Sequence, residues 1–284
     1  MGIYKQPGKW ECGPFALKHA LLMRGILASE WKIGRLAGTS PAGTNEVQLA
    51  RAAAHYGCEF PTVRRTDPGA AREELARHLR EGVACLLCVD EWDHWVAAVN
   101  EEEDRFIILD SEKLEVIVVL DWPRLRKWWV YHDDGATLYD LHPVIPPDTQ
   151  RTRARFTLER ARHLLDPANR SLAQLWDIYV EDLIALCGSP QPAAADARSF
   201  GEFLNENADL LLDQLETWHG KVDRDAAVVV LDRMRFVADT YGLSVQPDGE
   251  RRTISALSVM LALWCAGEFG VAPLYRKVPV HKIR

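Results

Sequence analysis

The residues with the most chemical content are Gln6 and Cys12, in the run Gln6-Pro7-Gly8-Lys9-Trp10-Glu11-Cys12-Gly13-Pro14, and an apolar helical pattern begins immediately afterwards. A cysteine at the start of a helix is placed as a nucleophile, because the partial positive charge of the helix N-terminus favours thiolate over thiol. A glutamine just upstream can set its side-chain amide where a tetrahedral oxyanion forms. Such a cysteine needs a base within reach, and the base needs a group that orients its other nitrogen. Of nine histidines, His19, His55 and His78 fall inside helical patterns, the ordinary setting of a solvated or half-buried ring. His94, in Asp93-His94-Trp95-Val96, opens a strand, and Asp110 closes the next one, Arg105 to Leu109. A turn at Glu101–Asp104 makes the two a hairpin, which brings the start of one strand beside the end of the other. An aspartate thus falls next to His94 by local structure alone.

The elements that must position these groups are legible in outline. A helix runs from Pro14 to about Met23 with Gly25 where a C-terminal cap belongs. Ser29 caps a second helix ending at Leu36-Ala37-Gly38, and Thr44 caps a third, Asn45 to Tyr56, closed by Gly57. A brief strand, Phe60 to Arg64, precedes Asp67-Pro68, an N-cap with proline at the first helical position, and a helix to about Arg80. Strands then follow at Val83–Val89, His94–Val99, Arg105–Leu109 and Glu115–Leu120. Helices first and an antiparallel sheet afterwards define an α+β arrangement. After Pro147 strand signals vanish, and helices are expected at Leu158–Leu165, Leu172–Leu186, Phe200–Trp218, Arg224–Tyr241 and Ile254–Phe269. Pro143, Pro146 and Pro147 read as a linker, dividing a domain at 1–147 from an all-helical one at 148–284, with a flexible connection at Gly188–Ala195. Charge follows the same division, with 17 basic and 23 acidic residues in 1–150 against 17 and 18 in 151–284.

The string Gln-x5-Cys-Gly-Pro-x-Ala-Leu, with a distant histidine at a strand start and an aspartate 16 residues on, resembles the double-glycine leader peptidase domain of bacteriocin-processing transporters. The resemblance covers about residues 1–145. It implies a papain-like cysteine peptidase fold, N-terminal helices plus an antiparallel sheet, followed here by the C-terminal all-α domain. It also implies roles: Cys12 as nucleophile, His94 as general base and acid, Asp110 as the group orienting His94, and the Gln6 side chain with the Cys12 backbone amide as oxyanion donors. Two departures stand out. Members are usually fused to membrane-spanning and ATP-binding segments, where this chain has helices, and their cysteine commonly follows an aspartate, where this chain has Glu11. The implied reaction is cleavage of a protein or peptide, after small residues such as Gly-Gly. The same residues equally serve acyl transfer to an amine or side-chain deamidation, of transglutaminase or deamidase type. A third reading is a non-catalytic peptide-recognition module, against which the joint presence of Gln6, Cys12, His94 and Asp110 speaks.

Other signals carry less. Cys85 and Cys88 have redox or zinc-site spacing, but residues three apart on a strand point to opposite faces, so both are expected in the core. Asp90 to Asp93 read as a polar turn rather than metal ligands, and no metal or other cofactor is expected; Cys58, Cys187 and Cys265 read as structural. Among the tryptophans, Trp92, Trp95, Trp122, Trp128 and Trp129 are expected to pack the sheet, with Trp95 and Trp10, which flank the proposed triad, expected to meet substrate. In the second half, Phe203, Leu204, Leu210, Leu211 and Leu215 read as bundle core, with capture of a substrate protein or partner as the functional alternative. The basic end, Tyr275 to Arg284, reads as a frayed terminus. Net charge of −7 argues against nucleic-acid partners. The longest uncharged apolar stretch, Ile254–Gly267, is too short to span a bilayer and reads as a buried helix. With no signal-peptide pattern at the start, the expectation is a soluble cytoplasmic protein.

Overall fold

The computed structural model describes residues 2–147, 153–187, 197–219 and 222–269, so the Gly188–Ala195 connection and the basic end lie outside the described residues. They form two units, divided between Ile178 and Tyr179.

The first unit opens with a 3₁₀ turn, Lys9–Glu11, which runs directly into α1 (Cys12–Leu22). Cys12 is therefore the first residue of the helix itself, two residues ahead of the expected start. Every residue of α1 is buried, because α2 (Glu30–Ala37), α3 (Glu46–His55) and the sheet pack around it. Ser29 caps α2 by accepting from the Lys32 amide, and Gly38 ends it in the left-handed conformation. The cap of α3 is Asn45, not Thr44: Asn45 and Gln48 exchange hydrogen bonds as a capping box. The Thr44 hydroxyl instead pairs with Thr39 at 2.8 Å.

The sheet is antiparallel throughout, in the order β1 (Val63–Arg65), β7 (Ala136–Pro143), β2 (Cys85–Val89), β3 (His94–Glu102), β4 (Arg105–Leu109), β5 (Ile117–Asp121), with β6 (Tyr131–Asp133) beside β7. Between β1 and β2 runs α4 (Pro68–Arg80), begun by Asp67 and Pro68 as expected. One sheet face carries Leu87, Val96, Ile108 and Leu141 against Leu75 and Leu79 of α4 and Leu125 and Trp129 of α5 (Trp122–Trp129). Leu86, Ala97 and Ile107 alternate with these and are equally buried, so α1 and α4 sandwich the sheet. Neither α5 nor the β6–β7 pair was expected from the sequence.

Residues 154–178, placed beyond the proline-rich linker by the sequence, belong to this first unit. Phe156 is 1% exposed and packs on Trp176, within the segment that contains α6 (Leu158–Leu165) and α7 (Arg170–Gln174). The Ile3 amide donates to Ala173 O, and Asp177, in α8 (Trp176–Cys187), reaches Lys18. That lysine, 1% exposed inside α1, lies 3.3 Å from Glu30 and 3.2 Å from Asp177, donates to Gly2 O at 2.8 Å, and sits over the Tyr4 ring.

In the second unit, α9 (Phe200–His219), α10 (Arg224–Tyr241) and α11 (Glu250–Phe269) pack on one another. It is not purely helical: β8 (Arg198–Ser199) and β9 (Ser244–Val245) form a short antiparallel ladder. Phe203, Leu204, Leu211 and Leu215 are buried as expected, but Leu210 is exposed, as are Val259 and Leu263 of α11. No helix among the described residues is long and apolar enough to cross a membrane. The Cys265 side chain lies outside the described part.

Removing one member of a buried ion cluster strands the others without a counter-charge. Lys18→Met is therefore expected to cost about 3–5 kcal/mol, read as a lowered midpoint in urea unfolding.

Candidate active site

Three elements converge at the start of α1. His94 opens β3, paired with Val89 across the β2–β3 hairpin, and Asp110 follows β4, whose Leu109 pairs with Ala97. This register leaves His94 and Asp110 at the same end of the hairpin, with His94 Nε2 2.7 Å from Asp110 Oδ1. Both are buried, Asp110 completely. The same carboxylate oxygen accepts from the Glu112 amide at 3.0 Å. With Nε2 turned to Asp110, Nδ1 is the ring nitrogen left for another partner, and Cys12 acts on the ring to favour its charged form. Burial works against the charged ring, but the Asp110 hydrogen bond and then Cys12 outweigh it and push His94 up to about 10.

The turn that delivers His94 is strained. Asp90, Glu91 and Trp92 have φ of 53°, 55° and 68°, three successive non-glycine residues in the left-handed region. Contacts hold it there: the Asp90 amide donates to Trp128 O, Glu91 accepts from the His132 amide, and Trp92 stacks on Tyr131 with centroids 4.1 Å apart. This is the polar turn expected from sequence, and among the described residues no group of three or more His, Cys, Asp or Glu side chains could hold a metal.

Gln6 joins the site through Asp110's neighbour. Its amide N–H donates to Ser111 O at 2.8 Å, and Ser111 Oγ donates to Gln6 Oε1 at 2.5 Å. The side-chain Nε2 donates to Gly8 O at 2.9 Å and Lys9 O at 3.2 Å. The Gln6 side-chain amide, expected to serve an oxyanion, is thus engaged through Nε2 by two carbonyls of the turn leading to Cys12. That turn is closed by Glu11, whose carboxylate accepts from the Gly8 amide at 2.7 Å. Ser111 was not anticipated; its place directly after the histidine's partner was the available signal.

The two tryptophans expected at substrate part company. Trp95 is 7% exposed, donates its indole N–H to Thr44 O at 2.8 Å, and lines a cavity of about 300 Å³ with Trp92, Cys88 and His142. Trp10 is 46% exposed and lines a different cavity, with Trp31 and Pro14. Trp122, Trp128 and Trp129 pack the core as expected. Cys85 joins the sheet core and Cys88 the cavity, so the two sulfurs diverge; burial raises both thiols. Cys58 is buried, and burial pushes it up to about 11. Cys187 is half-buried.

No protein-family model matches the chain, and no curated protein matches it. Among solved structures it is similar to a double glycine motif protease from an AMS/PCAT transporter, solved in complex with the leader peptide, at 20% identity and TM-score 0.38 over 50% of this chain and 91% of that one. It is similar to the peptidase domain of Streptococcus ComA, a bifunctional ABC transporter involved in a quorum-sensing pathway, at 16% identity and TM-score 0.37 over 51% and 98%. A C39-like peptidase from Bacillus anthracis follows at 14% identity and TM-score 0.36 over 50% and 93%. The likenesses are to peptidase domains and span about half of this chain. What the site can do is read from its own geometry.

A histidine raised to about 10 on folding from an ordinary 6.5 binds more protons folded than unfolded between those values. Its contribution to stability is complete below about pH 6.5 and lost as pH rises through about 10. Melting temperatures of the wild type should therefore fall across this window. Asp110→Asn, which removes the main favourable contact, should flatten that fall.

Proposed function

We propose that this chain is a cysteine peptidase in which Cys12, His94 and Asp110 act as a catalytic triad. The observation that carries the reading is the buried His94–Asp110 pair, bonded at 2.7 Å, with a buried Cys12 at the start of a helix acting on the same ring. The Asp110 carboxylate fixes the ring so that Nδ1 meets sulfur, and the imidazolium stabilises a Cys12 thiolate. The thiolate attacks a peptide carbonyl carbon, and the carbonyl electron pair moves to oxygen. Collapse of the tetrahedral adduct expels the amine, which takes the His94 proton. Water, deprotonated by His94, then hydrolyses the thioester, and sulfur leaves as the thiolate beside reprotonated His94.

Gln6 is the oxyanion donor in this scheme, with the Cys12 backbone amide. Its Nε2 must exchange one acceptor for the oxyanion, and the longer bond, 3.2 Å to Lys9 O, is the one to yield. Ser111 keeps the amide oriented during the exchange by holding Oε1.

One oxyanion donor is worth roughly 3–4 kcal/mol of barrier. In a protein-substrate digestion followed by mass spectrometry, Gln6→Ala should remain folded and lose about 10²–10³ in kcat. Cys12→Ala should show no turnover. Cleavage by Cys12→Ala at the wild-type rate would overturn the assignment, and products carrying a new isopeptide bond or a deamidated side chain instead of a cut would move it to amide transfer.

A further inference from the structure

The cavity behind Trp95 has a composition that the triad does not explain. Thr44, Asn45 and Glu46 from the start of α3, Thr62 and Arg64 from β1 and its approach, Cys88, Trp92 and Trp95 from the β2–β3 hairpin, and Asp140 and His142 from β7 surround about 300 Å³. It adjoins the nucleophile. A Cβ placed on Gly13, the residue after Cys12, would sit 3.1 Å from Thr44. Trp95 follows His94 in the chain and is tied to Thr44, and a charge on Cys12 is felt at Cys88.

The charges of this lining do not cancel. Arg64, paired directly with Asp140 across β1 and β7, donates two hydrogen bonds to it, Nε to Oδ1 at 2.8 Å and Nη2 to Oδ2 at 2.6 Å, and the two charges neutralise each other. His142 stays neutral: burial lowers it to about 4. Its ring stacks on Phe60 and its Nδ1 lies 3.2 Å from Thr62 Oγ1. Glu46 is exposed at the first turn of α3 and makes no hydrogen bond or ion pair among the described residues. One carboxylate without a salt-bridge partner thus remains at a cavity whose walls include two indoles.

We infer that this cavity is a specificity pocket for a cationic side chain, lysine or arginine, of a residue flanking the scissile bond. The inference rests on the peptidase reading and names its substrate class. A cation there meets Glu46 directly and the indole of Trp95 by cation–π attraction; the Trp92 ring is already stacked on Tyr131 and lies under the Arg64 guanidinium, 5.3 Å from its centroid. An acidic side chain meets Glu46 with Arg64 already committed to Asp140. Glycine, the residue implied by the sequence resemblance, leaves the cavity to water and gains nothing from it.

The test is a fluorescence-quenched peptide library varied at two positions on each side of the scissile bond, read as kcat/KM, together with the rate of Cys12 alkylation by iodoacetamide in the wild type. One position should favour arginine or lysine over glycine and glutamate by roughly 10–100-fold. Glu46→Gln should shrink that ratio several-fold, and Glu46→Lys should invert it toward glutamate. Cleavage with a flat, glycine-preferring or acid-preferring profile, or a ratio unchanged in both Glu46 variants, overturns the pocket and leaves the peptidase intact. No cleaved peptide, or a Cys12 that alkylates no faster than Cys58, overturns the peptidase reading itself.

Discussion

Asp110 is the constraint from which the site follows. A carboxyl group with no solvent exposure costs several kcal/mol unless it finds donors, and Asp110 finds two for Oδ1, the His94 ring and the Glu112 amide, while Oδ2 is buried without a hydrogen bond. That requirement fixes where β4 must stop relative to the start of β3, and so fixes the hairpin register. It also fixes the next residue, because Ser111, turned by the same corner, grips Gln6 through its backbone and its hydroxyl. One hairpin end thereby organises both His94 and the N-terminal segment that leads to Cys12.

The rest of the first unit keeps these parts still. Helix α1 is buried on all sides, so Cys12 cannot shift without disturbing α2, α3 and the sheet. Burial of that kind would be unaffordable for Lys18 alone; Glu30, Asp177, Gly2 O and the Tyr4 ring together offset it. Because Asp177 and Ala173 come from residues 154–178, the segment after the sheet helps hold the chain that carries Gln6. The left-handed turn at Asp90–Trp92 fits the same pattern. Strain next to His94 persists because Trp128 of α5 and Tyr131 and His132 of β6 hold that turn.

Much of this was legible in the sequence where the signal is local. Ser29, Asp67 and Pro68 announce their helices through cap chemistry that needs only three or four neighbouring residues, and Arg224–Tyr241 emerges with its bounds intact. Thr44 misled because Asn45 is as good a cap one residue on, and only packing decided that the Thr44 hydroxyl turns to Thr39. Strand β7 was missed because its partners, β1 and β2, lie far back in the chain, and its own run of aromatic, acidic and histidine residues hides the alternation. The helix α5 was missed although Asp121 and Pro123 mark its start, because tryptophans and basic residues mask its apolar face. Leu210 sits on the exposed side of α9 because a helical stripe narrows once the neighbouring helices take their places.

The sequence by itself determined that Cys12 stands at a helix start and that His94 lies beside Asp110, since the helix terminus and the hairpin are geometries of adjacent residues. The tertiary structure alone decided what Gln6 holds, how the buried Lys18 is neutralised, and that Glu46, Arg64, Trp95, Asp140 and His142 enclose one cavity. Those depend on which distant surfaces meet when apolar faces are buried, and no local period in the chain encodes that meeting.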